Sequence, residues 1–213
     1  MGYVVAYEVL LDGEFLMSSV ITASEIALAE LGLAAWGDAP CRVLVGGLGL
    51  GYTAQAALRG ANVQQVDVVE LLDEVLEWHR TALVPLGAML TAEPRVRLIQ
   101  GDFFAWASGE SDGTAAPRYD VVLLDIDHSS EFLLASSSES FYSVPRLRKF
   151  AERLDDRGVF AFWSSDYEEH AFAENLRAVF PSVEVHEVRF FSPAIDSDEI
   201  NTVIVARKQR PEA

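Results

Sequence analysis

The chain reads as an α/β domain: a mostly parallel seven-stranded sheet closed by an antiparallel C-terminal hairpin and preceded by a short N-terminal β-hairpin. Three patterns predict it. Short apolar runs bounded by glycine or an acid recur along the chain, as buried parallel strands do. Segments with helical spacing alternate with these runs over short links. The last two runs, Val183 to Phe191 and Thr202 to Ala206, are joined without room for a crossover helix and are expected to pair antiparallel.

The N-terminal segments Tyr3 to Leu11 and Glu14 to Ile21 are rich in β-branched and aromatic residues and flank Asp12-Gly13, a dipeptide that favours a primed hairpin turn. Thr22 with Glu25 fits a capping box, which opens a helix from about Ser24 to Trp36 before Gly37 and Pro40. The sheet then starts at Cys41. Tyr52 to Arg59 is a helix ended by Gly60, and a strand finishing on Glu70 leads into a second helix, Leu71 to Leu83, stopped near Pro85. Arg95 to Gln100 is the third strand, and a Ser/Gly/Asp-rich loop from Ser108 to Pro117 leads to the fourth, Tyr119 to Asp125. Phe141 to Leu154 predicts a helix and Val159 to Trp163 the fifth strand, and Ser165 with Glu168 predicts a capping box for a helix to Phe180. The expected organisation is a hairpin over residues 1–21, one Rossmann-like nucleoside-binding domain over 22–208 and a tail over 209–213.

A chain of 213 residues can bury about 70% of the surface its unfolded form exposes. Cys41 is the only cysteine, so an internal disulfide and a cysteine zinc cage are excluded, which suits a reducing compartment. No segment reaches the roughly 20 apolar residues needed to cross a bilayer and no leader is legible, so the expectation is a soluble cytoplasmic protein. With 33 acidic against 16 basic residues, the net charge of −17 repels phosphate backbones and anionic lipid and would draw in a cation.

Strands and helices in this order, closed by a hairpin, match methyltransferase-like Rossmann sheets, which bind ligands beyond the carboxyl ends of their strands. That rim carries the candidates. Gly46, Gly47, Gly49 and Gly51 follow the first sheet strand and let the backbone approach a nucleoside. Glu70, about twenty residues on, is placed to accept hydrogen bonds from ribose hydroxyls, with Leu71 beside it. Asp102 suits an exocyclic amine such as that of adenine, with Phe103 near the base plane; it equally suits a helix N-cap. Asp125 and Asp127, two apart, face one side of an extended segment. There they can orient an amine and take its proton, or hold a divalent cation. His128 and Ser164 to Asp166 share the rim, whereas His79, His170 and His186 read as surface residues.

In order, these residues resemble the spermidine synthase family, the polyamine aminopropyltransferases. The matching pieces are Leu11-Asp12-Gly13 with Glu25 and Glu30, the glycine loop, Val69-Glu70 with Asp73, Glu93-Pro94-Arg95-Val96, Gly101-Asp102, Tyr119-Asp120-Val121 leading to Asp125, Phe141-Tyr142 and Gly158-Val159-Phe160. The resemblance implies decarboxylated S-adenosylmethionine as donor, Glu70 on its ribose, Asp102 on its adenine and Asp125 activating a small-molecule amine acceptor; whether the chain forms a homodimer stays open. The departures are specific. The family's Gly-Gly-Gly-Asp-Gly-Gly is here Gly46-Gly47-Leu48-Gly49-Leu50-Gly51, so Gly49 stands where an aspartate would grip the aminopropyl amine. The family's second acid after Asp125 is here His128, Ser192 to Asn201 lacks the family's aromatics, and the N-terminal domain is cut to about one hairpin. Two alternatives follow. One is an S-adenosylmethionine methyltransferase: Gly49 leaves room for a donor carboxylate, Asp125-x-Asp127 with Asp166 loosely resembles the magnesium site of catechol-type O-methyltransferases, and Gly51-Tyr52-Thr53-Ala54 is similar to their loop. The other is a non-catalytic nucleoside-thioether-binding protein.

Overall fold

The computed structural model describes residues 5–11, 13–109, 117–134, 136–166, 169–193 and 196–209. Strands β1 (Glu8–Leu11) and β2 (Glu14–Ser18) pair antiparallel as the expected hairpin, with Leu10 opposite Phe15. Asp12 of its turn, Glu168, residues 110–116 of the Ser/Gly/Asp-rich loop and tail residues 210–213 lie outside the described residues.

The main sheet holds β3 (Cys41–Gly46), β4 (Val63–Glu70), β5 (Val96–Gln100), β6 (Tyr119–Leu124), β7 (Leu154–Ser164), β8 (Ser182–Ser192) and β9 (Ser197–Arg207), in the order β5-β4-β3-β6-β7-β9-β8. The pairs β3/β4, β3/β6, β4/β5 and β6/β7 are parallel; β9 runs antiparallel to both of its neighbours. The chain builds outward from β3 to β5 and then returns to lay β6 on the other side of β3. That reversal puts the crevice of a doubly wound sheet beyond the carboxyl ends of β3 and β6.

Because strand side chains alternate, two cores form. Val43, Val45, Val121, Leu123 and Ala161 pack under α1 (Ala23–Trp36) and α2 (Tyr52–Leu58). Leu44, Val122, Leu124, Phe160 and Phe162 pack on the other face with Phe103, Phe141, Phe150 and Phe172. Gly32 lets α1 lie close on the first core: a Cβ there would stand 2.7 Å from Leu123.

Several helices differ from the sequence reading. Thr22 sits at the N-cap of α1 without a side-chain hydrogen bond, and the Ser24 hydroxyl donates to Glu25 at 3.0 Å, so the first capping box does not form. The helix after Glu70 is α3 (Asp73–Arg80), followed by an unforeseen α4 (Gly87–Ala92), and α5 (Phe103–Ser108) begins straight after Asp102. The predicted Phe141 to Leu154 helix divides into a 3-10 turn, Ser136–Tyr142, and α6 (Val144–Ala151). Pro145 in the first turn of α6 lacks the amide that a continuous helix would use. Finally α7 (His170–Arg177) starts later than Ser165, whose hydroxyl donates to the His128 carbonyl at 2.8 Å. Among the described residues no helix is long and apolar enough to cross a membrane.

One buried ion pair staples β4 to β5. Asp67 is fully buried and accepts from Arg97 Nε and Nη2 at 2.7 and 2.6 Å and from the Tyr119 hydroxyl at 2.6 Å. Burial alone would raise the Asp67 carboxyl, but the hydrogen bonds from Arg97, Tyr119 and Gln65 outweigh it and hold the group below the ordinary range. An asparagine keeps one acceptor oxygen where the carboxylate has two and turns an NH2 toward the remaining donors, so Gln65, Arg97 and Tyr119 can no longer all be served, although Arg97, more than half exposed, can turn to water. Asp67→Asn is therefore expected to lose about 2–3 kcal/mol, at the lower edge for a broken buried pair, read as a lower urea midpoint with an unchanged slope.

Candidate active site

The glycine segment after β3 is shaped by its own surroundings. The Gly47 amide extends the β3/β4 ladder to the Val69 carbonyl at 2.9 Å, and Gly51 N–H turns back to the Leu48 carbonyl at 2.8 Å. Gly47, Gly49 and Gly51 all have positive φ, at 92°, 46° and 92°. Gly47 has no alternative, since a Cβ would stand 2.1 Å from the Asp125 carbonyl oxygen. At Gly46 a Cβ would meet the Phe103 ring at 2.7 Å, and at Gly49 the Met17 sulfur at 2.5 Å.

Glu70 ends β4 and organises this loop. Its Oε2 accepts the Leu48 N–H and its Oε1 the Leu72 N–H, both at 2.9 Å, with 9% of the residue exposed. Each carboxylate oxygen keeps a second lone pair for a ligand hydroxyl. Leu71 is 59% exposed beside it and offers an apolar surface. Asp102 is exposed and caps α5, accepting from Phe104 N–H at 2.8 Å and Ala105 N–H at 3.3 Å. The short helix it starts turns Phe103 inward. Phe103 is 2% exposed, edge-on to Phe141, and is a core residue rather than a ring beside a base, which corrects the sequence reading.

Asp125 and Asp127 do not face one side, contrary to the sequence reading. Strand β6 ends at Leu124, so the alternation that would align them is lost. Asp125 lies against Gly46, donating its N–H to that carbonyl at 2.9 Å, and its Oδ2 accepts from the Thr53 hydroxyl of α2 at 2.6 Å. Asp127 turns into the aromatic core: it is 1% exposed and takes the Leu134 N–H at 2.8 Å and the Tyr142 hydroxyl at 2.6 Å. Asp166 is exposed, with its N–H on Ser164 Oγ at 3.0 Å. The donor set proposed for magnesium is thus not assembled, and among the described residues no three His, Cys, Asp or Glu side chains form a group that could hold a metal.

Four residues to which the sequence reading gave no part in the site's chemistry lie at or near it. Glu25, 6% exposed in the first turn of α1, lies near enough to Asp125 for their charges to repel. Burial first, and then Asp125, push the Glu25 carboxyl well above its ordinary value; burial also raises Asp125, opposed by the Thr53 hydrogen bond. Thr53 itself would have been found only through its neighbour. His79, expected on the surface, is fully buried and its Nε2 lies 3.0 Å from the Gly49 carbonyl. Burial lowers its pKa against the pull of that hydrogen bond and of Glu70. Glu169, buried, takes the Ser130 N–H at 2.8 Å, the Ser130 hydroxyl at 2.7 Å and the Ser164 hydroxyl at 2.7 Å, tying the loop after β6 to the end of β7. On the outside of that loop a cavity of about 560 Å³ is lined by Ser130, Glu131, Phe132, Leu133 and Glu139, and includes neither Glu70 nor Asp125.

The raised pair makes stability fall with pH. Glu25 and Asp125 keep protons in the folded chain at pH values where the unfolded chain has lost them, so folding is favoured in acid and loses that advantage as pH rises through the raised folded values. Glu25→Gln is expected to be more stable than the parent by on the order of 2 kcal/mol at pH 8, with the difference shrinking toward pH 4, as measured by thermal melts across that range.

No family model matches the chain. Over 105 residues, 49% of the chain, it is 30% identical to the polyamine aminopropyltransferase of Prochlorococcus marinus subsp. pastoris, of which that match covers 36%. With the polyamine aminopropyltransferase of Corynebacterium efficiens it shares 31% identity over 129 residues, 60% of the chain and 23% of the relative. With putrescine N-methyltransferase 4 of Nicotiana tabacum it shares 33% over 86 residues, 40% of the chain and 21% of the relative. The matches span about a third or less of the length of these relatives. In three dimensions the chain superposes on the spermidine synthase of Thermotoga maritima with a TM-score of 0.74 at 17% identity, over 95% of this chain and 65% of that one. In local sequence the chain is thus similar to polyamine aminopropyltransferases, and in fold to a spermidine synthase.

Proposed function

We propose that the chain binds an adenosyl sulfonium donor with its ribose on Glu70 and transfers an alkyl group from it to an amine, in the leading reading an aminopropyl group from decarboxylated S-adenosylmethionine. The observation that carries this is the carboxylate pair Asp125 and Glu25, set beside Gly46 at the crevice where the Glu70-held loop would bring the donor's sulfur. The amine lone pair attacks the carbon next to sulfur, the C–N bond forms as the C–S bond breaks, and the bonding pair leaves on sulfur as a neutral thioether. The proton of the attacking nitrogen passes to Asp125, which Thr53 orients through its hydroxyl. Asp102 can still meet the adenine amine while capping α5, since a carboxylate accepts several hydrogen bonds. Asp127 has no part in the transfer on this reading; it supports the loop through Leu134 and Tyr142.

One observation favours methyl transfer from S-adenosylmethionine as a second reading. At Gly49, where an acid would hold an aminopropyl ammonium, there is no carboxylate, although the Met17 sulfur, 2.5 Å from where a Cβ would stand, takes the room that the sequence reading expected there for a donor carboxylate. Glu70, Asp125 and Thr53 keep the same tasks in both readings.

Calorimetry with decarboxylated S-adenosylmethionine, S-adenosylmethionine and methylthioadenosine ranks the donors, and the absence of binding by all three would sink the proposal. Asp125→Asn is expected to lower amine-dependent release of the thioether product by about 10²–10⁴-fold while changing donor affinity little. Because Asp125 acts ionised and is held above the ordinary carboxylate range, turnover should rise as pH climbs through that raised value. A chain that binds donor but transfers nothing to any amine would be a nucleoside-thioether-binding protein.

A further inference from the structure

His79 lies beneath the glycine loop and holds one peptide of it. The Gly49 carbonyl can only accept, so the ring proton sits on Nε2 and donates across 3.0 Å, leaving Nδ1 unprotonated, buried and without a hydrogen-bond partner among the described residues. A planar trans peptide points its C=O and N–H in opposite directions. Fixing the Gly49 carbonyl inward therefore aims the Leu50 N–H outward, where it meets the Met17 sulfur of β2 at 3.3 Å. A thioether is a weak acceptor and cannot fix that orientation alone. Gly49, with φ at 46° and no side chain, offers little resistance to a flip of the same peptide. The ring is also tightly seated: a Cβ on Gly51 would stand 3.0 Å from His79 Cε1.

We propose that His79 is a positioning residue for donor binding, holding the Gly49–Leu50 peptide in one orientation so that the Leu48 amide stays on Glu70 and the loop presents a single surface to the ligand. This rests on the reading of the glycine segment as the donor loop. His79 would touch no substrate; it acts through the Gly49 carbonyl. The side-chain amide of glutamine reaches where Nε2 stands, whereas that of asparagine reaches only where Nδ1 stands, so the two separate the hydrogen bond from general polarity and packing.

The test uses the full chain and four proteins: the parent, His79→Gln, His79→Asn and His79→Phe, each checked for a cooperative melt. Methylthioadenosine affinity is measured by calorimetry, and amide hydrogen exchange at Leu48 and Leu50 is followed without ligand. The expected result is an approximately tenfold loss of affinity and tenfold faster exchange in the Asn and Phe variants, with Gln within threefold of the parent on both. Parent-like affinity and exchange in His79→Asn would overturn the assignment, as would Gln and Asn failing alike, because the ring rather than its hydrogen bond would then matter. If His79→Phe does not fold, the Gln and Asn pair decides. If the parent binds neither methylthioadenosine nor either sulfonium donor, the proposed function fails, and exchange at Leu48 and Leu50 still shows whether His79 fixes the loop.

Discussion

The site depends on a single buried carboxylate joining two backbone amides. Glu70 takes the Leu48 N–H with one oxygen and the Leu72 N–H with the other, so the loop after β3 and the start of α3 are fixed to the end of β4 at one point. Charge-assisted hydrogen bonds of this kind are about twice as strong as neutral ones, and burial removes the competition of water. Much follows from that anchor. With Leu48 held, the loop must turn sharply within a few residues, which the positive φ values at Gly47, Gly49 and Gly51 allow. With Leu72 held, α3 leaves β4 at an angle that carries His79 back beneath Gly49. Glu70 is thus built into the architecture before any ligand arrives, and a ribose would use lone pairs that the loop leaves over.

The end of β6 divides chemistry from support. Two acids one residue apart turn to opposite faces of the sheet: Asp125 to the α2 side, where Thr53 meets it, and Asp127 to the aromatic side, where Tyr142 does. The electrostatic results differ accordingly. Asp127 has partners for both oxygens and raises the Tyr142 hydroxyl, whose pKa burial and the Asp127 charge push well above the ordinary value. Asp125 has a hydroxyl for company and Glu25 nearby, and stays easier to protonate. On physical grounds a carboxylate poised near neutrality is suited to proton transfer, and one locked by strong donors is suited to holding a loop.

Strands were legible in the sequence because each is a short, nearly all-apolar run, the signature of burial on both faces, and because their order leaves few topologies to a right-handed doubly wound sheet. The glycine loop and Glu70 were legible through spacing alone. Phe103, His79 and Asp127 were not, for one shared reason. Each side chain's direction is decided by a local turn that spacing does not encode: the α5 start for Phe103, the pitch of a short helix for His79, and the end of the ladder for Asp127. Glu25 was legible as a residue of note but misread in kind. At an N-terminus the pattern Thr-x-x-Glu signals a capping box only when the acid stays near solvent, and here α1 buries it against the sheet.

The carboxylate pair also bears on how the proposed reaction could begin. An aliphatic amine arrives as an ammonium ion and must lose a proton before it can attack. Two nearby carboxyls resist carrying two charges, so the pair favours keeping one proton, with one oxyanion available. An ammonium brought against it is attracted to that oxyanion, which can then take its proton. The acidic surface, net −17, works in the same direction at longer range by enriching cations near the rim. A lone exposed aspartate would attract the same ammonium but would be too weak a base to accept its proton. Burial raises Asp125 toward the range where attraction and proton acceptance can be done by one group, and Asp125 in turn raises Glu25, which is the physical case for reading the two as a functional unit.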